Sequence, residues 1–256
     1  MRYLATTSDI RAADASAAAR VGVDQLIERA AFAVATTCAD LLDHVYGSRV
    51  VVLAGSGHNG ADALRAGQLL ASRGAAVVVV RSSEREGDAF WSAGARGLRV
   101  VGSIPSRADL VIDGMVGVGR SGALRGGAAG LASALGGALG GAVGGATVVA
   151  VDLPSGVSAD TGAADGAAVR ADVTVTFERL KPGLVLGRGA SLAGQVVIAP
   201  VGLDVPAVLP LAMLDADDVA ALMGPPSPGA DKYSRGVVGI VAGSAPYPGA
   251  AVLCAG

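Results

Sequence analysis

The sequence predicts an α/β fold: a Rossmann-like three-layer αβα sandwich around a mostly parallel sheet. Two observations predict the layers. Short apolar, β-branched runs alternate with stretches whose small and apolar residues recur at helical spacing. The runs stay apolar at successive positions, as strands covered by helices on both faces must be. A third observation points to a site. Two of the runs end in polar turns that contain glycine, GSGHNGAD at 55–62 and DLPSG at 152–156. Open α/β sheets bind ligands just beyond the carboxyl ends of their strands.

The elements follow in order. Residues 8 to 42 read as helix, with capping oxygens at Ser8 and Asp9 and an apolar stripe through VDQLIERAAFAVATTCADLL. Val50 to Ala54 is a buried strand. Asp62 to Ser72 is a helix stopped at Gly74, a left-handed C-terminal glycine. Ala76 to Val80 is the second strand, Glu86 to Ala95 a helix and Arg99 to Val101 a short strand. Asp109 to Asp113 is a strand that runs into the loop GMVGVGRSGALRGG. Ala128 to Leu139 is helical despite its glycines, and Thr147 to Val151 is the next strand. Val173 to Phe177 and Gln195 to Ala199 read as later, edge strands. After Gly202 the chain turns Pro-rich, and 206–235 reads as a linker. A new apolar run, GVVGIVAG at 236–243, reads as a strand opening a second domain. A strand and half a helix cannot build a core, so residues 236–256 are expected to be an incomplete start.

Composition narrows the function classes. Hydrophobic residues make up 52% of the chain and charged residues 16%, which favours a buried core over disorder. The net charge of −2 and the lack of a dense Lys/Arg run argue against a nucleic-acid partner. Cys38 and Cys254 lie far apart, in no metal-like spacing, and read as free thiols. No signal peptide or membrane span is read, and the expected compartment is the cytoplasm. The N-terminal helices need a partner surface, which a homodimer would supply.

Three loops follow strand ends and could line one crevice: 55–62, 113–126 and 152–162. In the first, glycines give a tight turn or expose backbone N–H groups to a phosphate, and His58, Asn59 and Asp62 add polar groups at the mouth. In the second, Asp113 either caps its loop or faces the crevice. GVGRSG at 117–122, with Arg120, is a candidate phosphate turn. In the third, Asp152 precedes a rigid Pro-Ser-Gly turn and is a candidate general acid or base. Asn59, Asp113 and Ser155 are hard oxygen donors, suited to an alkali or alkaline-earth ion. Lys181 reads either as a group near a phosphate or catalytic residue, or as a solvated surface lysine. A nicotinamide dehydrogenase is an alternative, but the second strand ends in Arg81 rather than an acid for the ribose.

GSGHNGADAL resembles the GPGNNGGDGL motif of the NAD(P)HX epimerases, the N-terminal domain of the YjeF family. VIDGMVGVGRSGALRG, VDLPSGVSADTG and TVTFERLKPGL resemble that family's later segments, and IRAAD and LIERAA its leading helices. The resemblance covers residues 5 to 205 and implies an epimerase domain over 1–205. The tail DKYSRGVVGIVAGSAPYPGAAVLCAG resembles the start of an ADP-dependent NAD(P)H-hydrate dehydratase domain, and so implies a bifunctional repair enzyme in origin.

The resemblance implies a hydrated dinucleotide held by His58, Asn59, Gly60, Ala61 and Asp62, by Gly117, Val118, Gly119, Arg120, Ser121, Gly122 and Ala123, and by Asp152. It implies catalysis by Asp152 with help from Lys181, and a potassium ion on Asn59, Asp113 and Ser155. His58 stands where the family usually has Asn, and Ala61 and Ala63 where it has Gly. A non-catalytic binding or protein-interaction module of the same fold is the other reading.

Overall fold

The computed structural model describes residues 1–82, 95–118, 122–136, 145–225, 227–231, 233–234, 236–244 and 246–255. Two compact units divide the chain. One runs from Arg2 to Met213, and the other comprises Leu214 to Gly256 with Met1.

In the first unit, β1 (Arg2–Leu4) leads into α1 (Thr7–Val21) and α2 (Val23–Leu41). Then come β2 (Arg49–Ala54), α3 (His58–Ser72), β3 (Ala76–Arg81), β4 (Arg99–Val101) and β5 (Leu110–Gly114). They are followed by α4 (Gly126–Gly136), β6 (Thr147–Val151), β7 (Val173–Phe177), a 3-10 turn at Pro182–Leu184, α5 (Gly187–Leu192), β8 (Gln195–Ala199) and β9 (Leu211–Met213). Seven strands form a parallel sheet in the order β4-β3-β2-β5-β6-β7-β8. The chain builds outward from β2 in one direction, then returns to β5 and builds in the other. The switch falls between β2 and β5, paired from Val50↔Leu110 to Ala54↔Gly114.

Alternation along the strands divides the core. Val50, Val52 and Ala54 face α2 and α3 and pack with Ala31, Val34, Cys38, Leu64 and Leu70. Val51 and Leu53 face the other way, with Val111, Ala128 and Ala132 of the α4 layer. With so few aromatics, Val, Leu and Ala fill both layers. Cys38 is buried and Cys254 exposed, and both are free. Among the described residues no helix is long and apolar enough to cross a membrane.

Several readings of the sequence need correction. The helix over 8–42 is two helices, because Gly22 adopts φ +85 between them. The cap of α1 is Thr6, whose hydroxyl and backbone N–H form a reciprocal box with Asp9. α3 begins at His58 rather than Asp62, because extended Gly57 accepts the first helical bond from Ala61 N (3.2 Å). β7 is interior rather than an edge: β8 covers it, and Val173 to Thr176 are buried. β1 and β9 pair antiparallel in a small separate sheet. The helix read over 86–95 and the end of that read over 128–139 lie outside the described residues.

In the second unit, α6 (Ala216–Met223) is capped by Asp215, and α7 is Gly249–Ala255. Residues 236–243 form no strand. They pair with no other strand among the described residues, and Val237, Val238 and Val241 are largely exposed. A strand needs a neighbouring ladder to satisfy its backbone.

Candidate active site

A cavity of about 700 Å³ opens beyond the carboxyl ends of β2, β5 and β6, at the switch point. Its floor is made by backbone packed against backbone. A Cβ on Gly55 would lie 2.0 Å from the Met115 carbonyl, and one on Gly60 would lie 2.1 Å from the Gly55 carbonyl. Glycine is therefore required at both for the loops to interlock. Gly57 differs: nothing lies within 4 Å of its Cβ position, and it lines the cavity.

Asp152 ends β6 in the left-handed region, φ +64, which few residues with a side chain adopt. Its N–H still bonds the Val175 carbonyl (2.7 Å), so the turn is held by the sheet. Asp152 Oδ1 accepts from Lys181 Nζ (2.7 Å), Thr176 Oγ1 (3.0 Å) and Phe177 N (3.4 Å). Every one of these bonds goes to Oδ1, which leaves Oδ2 for the cavity. Lys181 is fully buried, which settles its alternatives against a surface lysine. Its ammonium also donates to Thr176 Oγ1 (2.9 Å) and the Phe177 carbonyl (2.8 Å), so its three protons are used.

Asp113 and Ser155, both 0% exposed, tie the β5 loop to the β6 loop. Ser155 N donates to Asp113 Oδ2 (2.8 Å), while Ser155 Oγ (2.7 Å) and Met115 N (3.2 Å) donate to Oδ1. Burial pushes the Asp113 carboxyl up to about 6, against the lowering effect of those donors. Among the described residues it makes no ion pair. Asn59 lies against Gly117, with its Oδ1 2.9 Å from the Gly117 Cβ position. Its Nδ2 is buried and has no hydrogen-bond partner among the described residues. Among the described residues no three His, Cys, Asp or Glu side chains form a metal cluster. The available set is all oxygen with one formal charge, which fits a monovalent cation better than zinc.

His58, Asn59, Asp62, Gly117, Val118, Asp152 and Lys181 line the cavity. Gly60 and Ala61 are buried in the first turn of α3. Gly122 and Ala123 are exposed and do not line it. Gly119, Arg120 and Ser121 lie outside the described residues.

Sequence reasoning missed the roof, which α1 and α2 supply through Ile10, Asp14 and Leu26. The signal was there. Ile10, Ala13 and Ala17 mark the buried stripe of α1, and Asp14 sits one turn after Ile10 on that side. Glu178, also left-handed at φ +59, was missed too. Its Oε2 accepts from Val201, Gly202 and Leu203 N (3.0, 3.0 and 3.1 Å) and fastens a loop that lines the cavity.

The family model for the YjeF-related protein N-terminus matches residues 23–183, more than half of the chain. The chain belongs to this family. Among YjeF-related proteins, it is 43% identical over its whole length to the bifunctional NAD(P)H-hydrate repair enzyme Nnr of Mycobacterium tuberculosis. It spans about half of that relative (53%). It is 37% identical to the NAD(P)H-hydrate epimerase of Limosilactobacillus fermentum, with 76% of this chain and 94% of that protein covered. The crystal structure of yeast ynu0 shares the fold, with a TM-score of 0.66 and 19% identity over 84% of this chain and 98% of that one.

Proposed function

We propose that the chain interconverts the S and R epimers of hydrated NADH and NADPH, as a step in nicotinamide nucleotide repair. Relatives named for that activity support the reading. The observation that carries it is the one-sided Asp152, anchored through Oδ1 by a buried lysine and lining the cavity at the sheet's switch point.

The hydrated ring carries a hydroxyl on a carbon next to the ring nitrogen. The nitrogen lone pair makes that C–O bond labile, so the site needs to move protons and hold the ring rather than supply a strong nucleophile. Asp152 Oδ2 exchanges a proton with the ring oxygen on its side, taking one as water adds there and giving one as water leaves in the opposite direction. Lys181 and Thr176 hold the carboxylate in place. Gly57, Gly117 and the first turn of α3 offer backbone to the nucleotide.

Asn59, Asp113 and Ser155 are proposed to hold potassium. The buried Asp113, which makes no ion pair among the described residues, and the Asn59 side-chain oxygen beside Gly117 support the site. Bound there, the ion would offset the Asp113 charge and fix the loops that carry the cavity.

The test follows separated S and R epimers of NADHX by chromatography, with and without the protein. The wild-type chain should speed their approach to equilibrium. Asp152→Asn should lose about 100-fold or more of that rate. Full activity in the variant sinks the role given to Asp152, and a wild-type chain that binds both epimers without interconverting them sinks the epimerase reading.

A further inference from the structure

Epimerisation inverts one carbon, so the departing and returning oxygens lie on opposite faces of the ring. Asp152 offers one oxygen from one wall of the cavity, because its other oxygen is pinned by Lys181, Thr176 and Phe177. A group fixed in that way serves one face.

A different wall carries a second carboxyl. Asp62, on α3, lines the cavity and is only 8% exposed. It makes no hydrogen bond or ion pair with any described residue. The carboxyl meets the cavity unpaired, where a ligand can supply its partner. Asp14 lines the same cavity from the roof helix α1, nearer solvent. We propose that Asp62 is a second catalytic residue, serving the ring face that Asp152 does not, with Asp14 of the roof helix as its positioning residue. This rests on the epimerase reading above.

The charged groups that line the cavity with Asp62 are Asp14 and Arg11 from α1, His58 from its own helix, Arg125 ahead of α4, and Asp152 and Lys181 in the loops after β6 and β7. Burial holds the Asp62 carboxyl well above the usual carboxylate range, and the charges of Asp152 and Asp14 add to the rise. Asp14 is itself raised, first by burial and then by Asp152, while Lys181 and His58 oppose the rise. Asp152 instead has a lysine on it. Two carboxyls in such different surroundings, one buried without a counter-charge and one held by a lysine, suit paired acid and base work.

The step balances. Asp62 gives its proton to the ring hydroxyl, and the C–O electrons leave with the oxygen as water. The ring nitrogen lone pair forms the iminium. Water adds to the same carbon from the other face, the C=N pair returns to nitrogen, and Asp152 Oδ2 takes the released proton. One water leaves and one enters, with no change in oxidation state, and before the next turnover Asp152 gives its proton to solvent while solvent reprotonates Asp62. The other epimer runs the same steps in reverse.

Wild-type interconversion is measured first, and its absence sinks the epimerase reading whatever Asp62 does. Given that activity, Asp62→Asn should lower kcat about 100-fold or more while the Kd for NADHX stays within about threefold. Asp14→Asn removes one cause of the raised Asp62, so the alkaline limb of the kcat profile should move to lower pH. Undiminished kcat in Asp62→Asn, or an unmoved limb in Asp14→Asn, overturns the proposal. Should Asp62→Asn fail to fold by circular dichroism, the limb in Asp14→Asn decides.

Discussion

Replacing Lys181 with Met tests the centre of the site most directly. The ammonium is fully buried and donates to three oxygens between 2.7 and 2.9 Å. Without it, Asp152 keeps Thr176 Oγ1 and Phe177 N, but its charge has no counterion in a position where its side chain is 8% exposed. Breaking a buried pair from one side costs about 3–5 kcal/mol. The two remaining donors place this case near the lower end, about 3 kcal/mol. With a urea slope of about 2 kcal/mol per molar, the midpoint should fall by about 1.5 M. Urea unfolding followed by circular dichroism reads this. The Asp152→Asn/Lys181→Met double variant removes both charges and should lose less than the sum of the single variants, by about 2 kcal/mol. A Lys181→Met midpoint within about 0.3 M of wild type, or strict additivity in the double variant, would refute the buried pair as the element that holds Asp152.

Two further outcomes are expected. Gly55→Ala sets a Cβ against the Met115 carbonyl and should cost about 2 kcal/mol or more, whereas Gly57→Ala meets nothing and should stay within about 0.5 kcal/mol. Thermal melting separates them, and equal losses would mean that the loops do not interlock. Potassium chloride should raise the melting temperature above that in tetramethylammonium chloride at equal ionic strength, and Asp113→Asn should abolish the difference. A difference that survives in Asp113→Asn removes Asp113 from the ion site.

Much of the sheet was legible in the sequence, because a buried parallel strand advertises itself as a short apolar run between breakers. The runs at 99–101, 147–151, 173–177 and 195–199 match the strands residue for residue. Strand neighbours were less legible: nothing within VTVTF says that β8 will cover it, since pairing is a contact between distant segments. The same holds for 236–243, whose apolar run alone does not make a ladder. At the site, strand ends and glycines exposed Asp113 and Asp152. The bond from Lys181 to Asp152 spans 29 residues and could not be read from either turn. Thr176 had a local sign, a hydroxyl on an apolar strand that must find a partner inside. Asp14 needed the apolar stripe of α1 to be drawn around it.

The interlocked glycine floor has a consequence for how the protein moves. Gly55 N–H bonds the Gly114 carbonyl at 3.1 Å, under a loop that a Cβ could not enter. Loops around a ligand are usually among the first parts of a protein to exchange their amide hydrogens with solvent. Here the Gly55 amide should exchange as slowly as those of β2 and β5, through opening of the whole sheet. Rapid exchange should be confined to the walls and roof. Ligands would then enter and leave past α1, over a base that stays closed until the domain unfolds.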